Sequence, residues 1–175
     1  MTAKATLIFK LIVLAGVFIT SFSGPAFSQK REILGSFRDW DAILVERENG
    51  ERHCMMISMP KRTQPAGANR GEIYMTVTHR PRRKVRDEVN IVVGYPLRTG
   101  SEVITTIGGD NYKMFSEGGG AWHYTQEDDS RMVASMKRGN NLVVRGTSSR
   151  GTNTTDSYSL TGFTAAYNAI SAACR

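Results

Sequence analysis

Three histidines and two cysteines are spread through the chain, and no Cys-x-x-Cys or His-x-x-x-His spacing occurs. A zinc site needs several such ligands at short intervals, so none is expected. The alternating acidic and amide ligands of a calcium loop are missing too, and the acids of "EDD" (127–129) read as helix-start residues. "GTSSRG" (146–151) lacks the G-x-S-x-G elbow of serine hydrolases. His79 stands where a strand gives way to a basic loop and is expected to be satisfied by hydrogen bonds rather than to act as a base. His53 and Cys54 are strand neighbours that point to opposite faces, which makes them a poor imidazole–thiolate pair. The expectation is a protein that is not an enzyme, with no catalytic residues, no metal and no cofactor.

Long apolar runs are just as scarce. "LIVLAGVFITSF" (11–22) follows Lys4 and Lys10 and precedes small residues at Ala26 and Ser28, the layout of a secretory signal peptide. About 12 apolar residues fall short of the roughly 20 that span a bilayer. Residues 1–28 are therefore expected to be cleaved after export, leaving one domain over 29–175 with no transmembrane segment. Export exposes Cys54 and Cys174 to an oxidising compartment, where only one intramolecular pairing is open to them. Bonded, they close a loop of about 120 residues, which chain-entropy arithmetic values at roughly 4–5 kcal/mol. The alternative is a pair of buried free thiols.

Positive charge is concentrated rather than spread. Residues 29–175 hold 21 Lys and Arg against 16 Asp and Glu, yet the stretch from Lys61 to Arg86 alone holds eight bases and one acid. Within it, "THRPRRKVRDEV" (78–89) places five bases in seven positions before turning acidic at Asp87 and Glu88. Arg80, Arg82, Arg83 and Lys84 are the candidate binding residues, because several donors converging on phosphate or sulfate make an anion site; Lys61, Arg62 and Arg70 precede them. The plainer alternative is a charged connection that keeps a sheet edge soluble. Specific nucleic-acid recognition is not expected, since neither an exposed aromatic platform nor a groove-fitting helix is evident. Arg86, Asp87 and Glu88 are expected to pair locally.

What remains reads mainly as strands. Short runs rich in β-branched and aromatic residues occupy 40–46, 53–59, 72–79, 88–95, 101–107, 111–117, 141–147 and 154–160, bounded by Gly, Pro, Asn or Asp. Alternation places Ile73, Met75 and Val77 on one face, and Val89, Ile91, Val93 and Tyr95 on another. "GGDN" (108–111) signals a hairpin. Without alternating helices, this spacing predicts an antiparallel sandwich or barrel. Two helices interrupt it. "TQEDDSRMVASMKRG" (125–139) has acids at its start, bases at its end and a closing glycine, with Met132, Val133 and Met136 as its apolar stripe. "GFTAAYNAISAAC" (162–174) sets Phe163, Tyr167, Ile170 and Cys174 on one face. "PKRTQPAGANRG" (60–71) reads as a long mobile loop.

"GSFRDWD" (35–41), "VTHRP" (77–81), "KVRDEV" (84–89) running into "GYP" (94–96), "GSEV" (100–103), "GTSSRGT" (146–152) and "DSYSLTGFTAAYNAISAAC" (156–174) are individually weak motifs but specific in this order. Together they resemble the invasion-associated locus B family of exported alphaproteobacterial proteins. The resemblance implies an immunoglobulin-like β-sandwich, periplasmic, surface-associated or secreted, with no enzymatic activity and a link to host-cell entry in some bacteria. Partners in keeping with it are an anionic surface, a glycan or an envelope protein; a structural or chaperone-like role through protein partners is the alternative. Relatives often carry a further cysteine just after the tryptophan matching Trp40, and "WDAILVE" has none. The family supplies no catalytic residues.

Overall fold

The computed structural model describes residues 30–175; the expected signal peptide, residues 1–28, lies outside the described residues. Eleven strands form: β1 (Lys30–Phe37), β2 (Trp40–Glu46), β3 (Arg52–Ser58), β4 (Arg62–Gln64), β5 (Tyr74–Arg80), β6 (Val85–Val92), β7 (Glu102–Ile107), β8 (Asp110–Glu117), β9 (Gly120–Trp122), β10 (Asn141–Thr147) and β11 (Asn153–Ser159). Helix α1 (Gln126–Met136) lies between β9 and β10, and α2 (Phe163–Ala173) follows β11.

Each of the eight expected strands is present, and the antiparallel, mainly β architecture with two helices is as the sequence implies. The strands join one sheet in the order β1-β2-β3-β5-β6-β9-β8-β7-β10-β11-β4. Its two halves approach each other: Trp40 Nε1 donates to Ser159 O at 3.1 Å, and Asp39 N donates to Thr161 O at 3.3 Å. The β7–β8 hairpin turns at Gly108 and Gly109, both at positive φ, as the turn signal requires.

Three strands were not legible. β1 is an edge strand whose residues are mostly exposed, so nothing forces alternation on it, and Gly35 marks a register shift against β2. β4 and β9 hold three residues each, too few to show a period. β4 also corrects the reading of 60–71 as a mobile loop. That segment hydrogen-bonds along β11, and Arg70 at its end is tied to Asp156 by two bonds of 2.7 and 2.6 Å.

Alternation decides the core. Ala42 and Leu44 from β2, Cys54 and Met56 from β3, Met75 and Val77 from β5, and Val89 and Ile91 from β6 all point to one buried side. Helix α2 covers it with Phe163, Ala166, Tyr167 and Ile170, the stripe expected from steps of three and four. Phe163 meets Trp40 edge-on at 5.0 Å. Cys174, at the end of the same stripe, is bonded to Cys54, with Cα atoms 5.9 Å apart. Helix α1 packs on β6 through Met132, Val133 and Met136. Its N-cap is Thr125, whose hydroxyl accepts from Asp128 N at 3.2 Å. Gly162 starts α2 at φ +89, where a Cβ would stand 1.8 Å from Phe37 O; only glycine allows this close crossing.

Among the described residues, neither helix packs on the opposite side of β1, β2, β3 and β5. There Ile33, Ile43 and Met55 stand in register across β1, β2 and β3, followed by Thr78 and Glu88. A second row runs Ile57, Thr76, Asn90, Trp122 and Phe115.

Candidate functional site

β5 ends at Arg80, and Pro81 then begins a single 3-10 turn over Pro81–Arg83. Proline suits this position because its ring presets φ and it has no N–H to lose. Lys84 closes the turn in the left-handed conformation at φ +55, its N–H donating to Pro81 O at 2.9 Å. The basic residues thus stand on a braced corner rather than a loose loop.

The four candidate binding residues divide by the charge of their partners. Arg80 is ion-paired with Glu88 across the β5–β6 hairpin. Arg83 Nε donates to Glu51 Oε1 at 2.9 Å. Arg82 Nη1 instead donates to a backbone carbonyl, Asn49 O, at 2.7 Å. A carbonyl restrains a guanidinium without cancelling its charge, so Arg82 keeps a full positive charge in a fixed place. Lys84 is exposed beside it. The turn that receives Arg82 and Arg83 is itself ordered: Gly50 N donates to Arg47 O at 2.8 Å, and Glu51 N to Asn49 Oδ1 at 2.9 Å. Glu51 Oε1 also lies 2.9 Å from His53 Nε2; that contact, with the Arg83 charge beside it, outweighs burial and lowers its pKa to about 2.

Arg86 leans the other way, onto α2. Its Nη2 donates to Ser171 Oγ at 3.2 Å and to Tyr167 OH at 3.4 Å. Lys137, just past α1, sits 3.5 Å from the centre of the Tyr167 ring, a close cation–π contact. The expectation that Arg86, Asp87 and Glu88 pair locally is corrected, because each of the three is drawn to a partner on another element or further along the hairpin. Glu88 pairs with Arg80, Arg86 bonds α2, and Asp87 accepts from Tyr167 OH at 2.8 Å and Ser130 Oγ at 3.2 Å.

Beneath these groups lies His79, 1% exposed. The fold brings Ser171, His79 and Asp87 together, but the hydrogen bonds run opposite to those of a catalytic triad. Asp87 N donates to Nδ1 at 3.1 Å, which assigns the ring proton to Nε2, and Nε2 lies 3.1 Å from Ser171 Oγ. A relay needs the proton on Nδ1, facing the carboxylate, and a free lone pair on Nε2 facing the hydroxyl. Here Nε2–H donates to the serine, and the Asp87 carboxylate is 3.9 Å from Nδ1. His79 is a strand-end residue satisfied by hydrogen bonds, as the sequence implies.

Burial, reinforced by the nearby Arg86 charge and only partly opposed by Asp87, lowers the pKa of His79. A histidine kept neutral in the fold but free to protonate when unfolded binds more protons in the unfolded state, so stability rises with pH. Its contribution is complete above the unfolded value of about 6.5 and is lost as pH falls from there through the folded pKa. The melting temperature is expected to drop between about pH 7 and pH 5, and His79→Gln should flatten that slope. An unchanged slope in the variant would remove His79 as its source.

A cleft of about 490 Å³ opens on the other half of the sheet, between Arg70, Tyr95 and the turn over 148–152. Arg70 at its base has its donors engaged. Nε and Nη2 bond Val93 O at 3.0 and 2.7 Å, the Asp156 carboxylate takes a bidentate pair, and the Tyr95 ring lies 5.0 Å away. Arg70, read as an auxiliary to the basic loop, is instead a pin that holds 60–71 to the sheet.

One feature escaped the sequence. An aromatic platform, absent from the reading by residues, is assembled from Phe115 on β8, Trp122 on β9 and Tyr124 after it. A signal existed in the strand parity of Phe115, which alternates with the buried Tyr112 and Met114 pattern, but β9 is too short to reveal that Trp122 joins it. Among the described residues, no group of three or more His, Cys, Asp and Glu is placed to hold a metal ion, and no helix is long and apolar enough to cross a membrane.

Compared with known proteins, residues 40–171 match the family model described as "Invasion associated locus B (IalB) protein". Neither the curated proteins nor the solved structures give a match.

Proposed function

The chain belongs to the invasion-associated locus B family, and from that premise we propose a non-enzymatic, exported protein that binds anionic envelope or host-surface components. Its place of action is the periplasm, the outer surface or the medium, after loss of residues 1–28. The observation that carries the binding reading is the cationic corner. Arg82 and Lys84 project from a rigid turn, with Arg82 held by a neutral carbonyl, and Arg86 and Lys137 stand over Tyr167 nearby. Arg80 and Arg83 contribute less to such a field, because Glu88 and Glu51 offset them.

Each basic residue beside an anionic bilayer contributes about 1 kcal/mol. Arg82→Gln with Lys84→Gln is therefore expected to weaken binding to phosphatidylglycerol vesicles by about thirtyfold, with an unchanged melting temperature because both side chains are exposed. Cosedimentation at about 150 mM salt measures it. Equal binding by the double variant sinks the corner as the contact.

A second reading, a structural or chaperone-like role through a protein partner, is favoured by the helix-free sheet face. Ile33 there is 73% exposed and stands in register with Ile43 and Met55. Crosslinked partners retained by the corner variant but lost by Ile43→Lys would select it.

A further inference from the structure

Beside Arg86 of the cationic corner, a groove of about 310 Å³ runs between β6, the β8–β9 pair and the start of α1. Small-ligand pockets begin at about 300 Å³, so its size suits one or two sugar-sized rings. Three aromatic side chains line it. Phe115 and Trp122 are register partners whose rings lie 6.0 Å apart at 27°, and Tyr124 packs 5.1 Å from Phe115 while remaining 65% exposed. The platform is prearranged. The indole of Trp122 lies across Gly120, where a Cβ would come within 2.2 Å of the ring, and its Nε1 is 3.0 Å from the Asn90 side-chain amide. A rigid platform loses little conformational entropy when it binds.

Polar groups ring the aromatics. Glu88 and Arg86 border the groove from β6, and Thr125 and Gln126 from the start of α1. That combination selects a ligand that is apolar on one face and rich in hydroxyls at its edge. A pyranose ring has this character: its axial C–H bonds pack on an aromatic face while its equatorial hydroxyls need donors and acceptors in the ring plane. An apolar peptide side chain would cover Gln126 and the second carboxylate oxygen of Glu88, the one Arg80 does not take, without offering either a hydrogen bond. A single-stranded oligonucleotide would stack equally well, but it presents base edges and a phosphate chain in place of the ring of hydroxyls that Glu88 and Gln126 are placed to bond.

We propose that the groove over Phe115, Trp122 and Tyr124 is a saccharide-binding site, stacking one pyranose ring and bonding its hydroxyls through Glu88 and Gln126. It rests on the binding reading above and names the ligand class, with the cationic corner beside it adding affinity for saccharides that carry acid groups.

Tryptophan emission reads the site directly. The chain has two tryptophans, and Trp40 is fully buried in the core, so a ligand-dependent change reports Trp122. The folded protein is titrated with neutral chitotriose and with a hyaluronan tetrasaccharide, which adds carboxylates to a related backbone. The expected result is a saturable change with both, tighter for hyaluronan. Tyr124→Ala should weaken both by at least about tenfold with its melting temperature kept, and calorimetry on Trp122→Ala should show the same loss. No saturable response to either sugar up to about 10 mM overturns the proposal, as does equal binding by Tyr124→Ala. A thymidine decanucleotide that binds more tightly than both sugars and depends on Tyr124 overturns it in favour of nucleic acid. Failure of the corner reading looks different: Arg82→Gln with Lys84→Gln would then leave vesicle binding unchanged, while chitotriose binding through the aromatics persists.

Discussion

Replacing both Cys54 and Cys174 by alanine is expected to lower the unfolding free energy by about 4–5 kcal/mol. The bond joins residues separated by 120 positions, so its loss frees nearly the whole described chain in the unfolded state. In the folded state the same bond ties the last turn of α2 to β3. The remaining contacts of α2, through Phe163, Ala166, Tyr167 and Ile170, stay in place, so the variant should still fold. Since domains are stable by about 5–15 kcal/mol in total, the loss is a large share of what holds this one together. Urea unfolding measures it, and dithiothreitol should shift the native protein but not the double variant. A midpoint that stays within about 1 kcal/mol of native would show that the bond contributes little.

Arg70→Ala should cost about 3–5 kcal/mol, the usual penalty for stranding one partner of a buried ion pair. Arg70 and Asp156 have side chains only 5% and 1% exposed, so alanine leaves a carboxylate buried without its cation, and Val93 O loses two donors. Arg70→Lys should rescue little, because a single ammonium cannot reproduce the bidentate fork and reach Val93 O as well. Arg70→Met with Asp156→Leu should recover most of the loss, since removing both charges removes the desolvation penalty along with the attraction. Denaturant midpoints test all three, and hydrogen exchange should show residues 62–64 freed from β11 in the single variant alone. An Arg70→Ala protein as stable as the native one would mean that the pin is not needed to hold this segment.

How far the sequence could be read depended on the range of the interaction. The stripe of α2 and the faces of β5 and β6 followed from periodicity, because each element must turn its apolar side to the same core. With two cysteines only one intramolecular pairing was open, and the fold makes it by setting Cys174 of the α2 stripe over Cys54 on the buried face of β3. β1 escaped because an exposed edge strand has no buried face to mark it, and β4 and β9 because three residues cannot display a period.

The basic loop was legible as composition but not as chemistry. Which arginine faces a carboxylate and which a carbonyl was settled by a turn some thirty residues earlier, where Glu51 takes Arg83 and Asn49 O takes Arg82. The aromatic groove, likewise, exists only because β9 inserts between β6 and β8 and sets Trp122 beside Phe115. By itself the sequence determined the antiparallel β class, the two helices and the buried sides of β5, β6, α1 and α2, since local periodicity encodes these directly. Tertiary structure decided which charges are offset and which rings meet, because those depend on strand order, and strand order brings together residues that no local pattern connects.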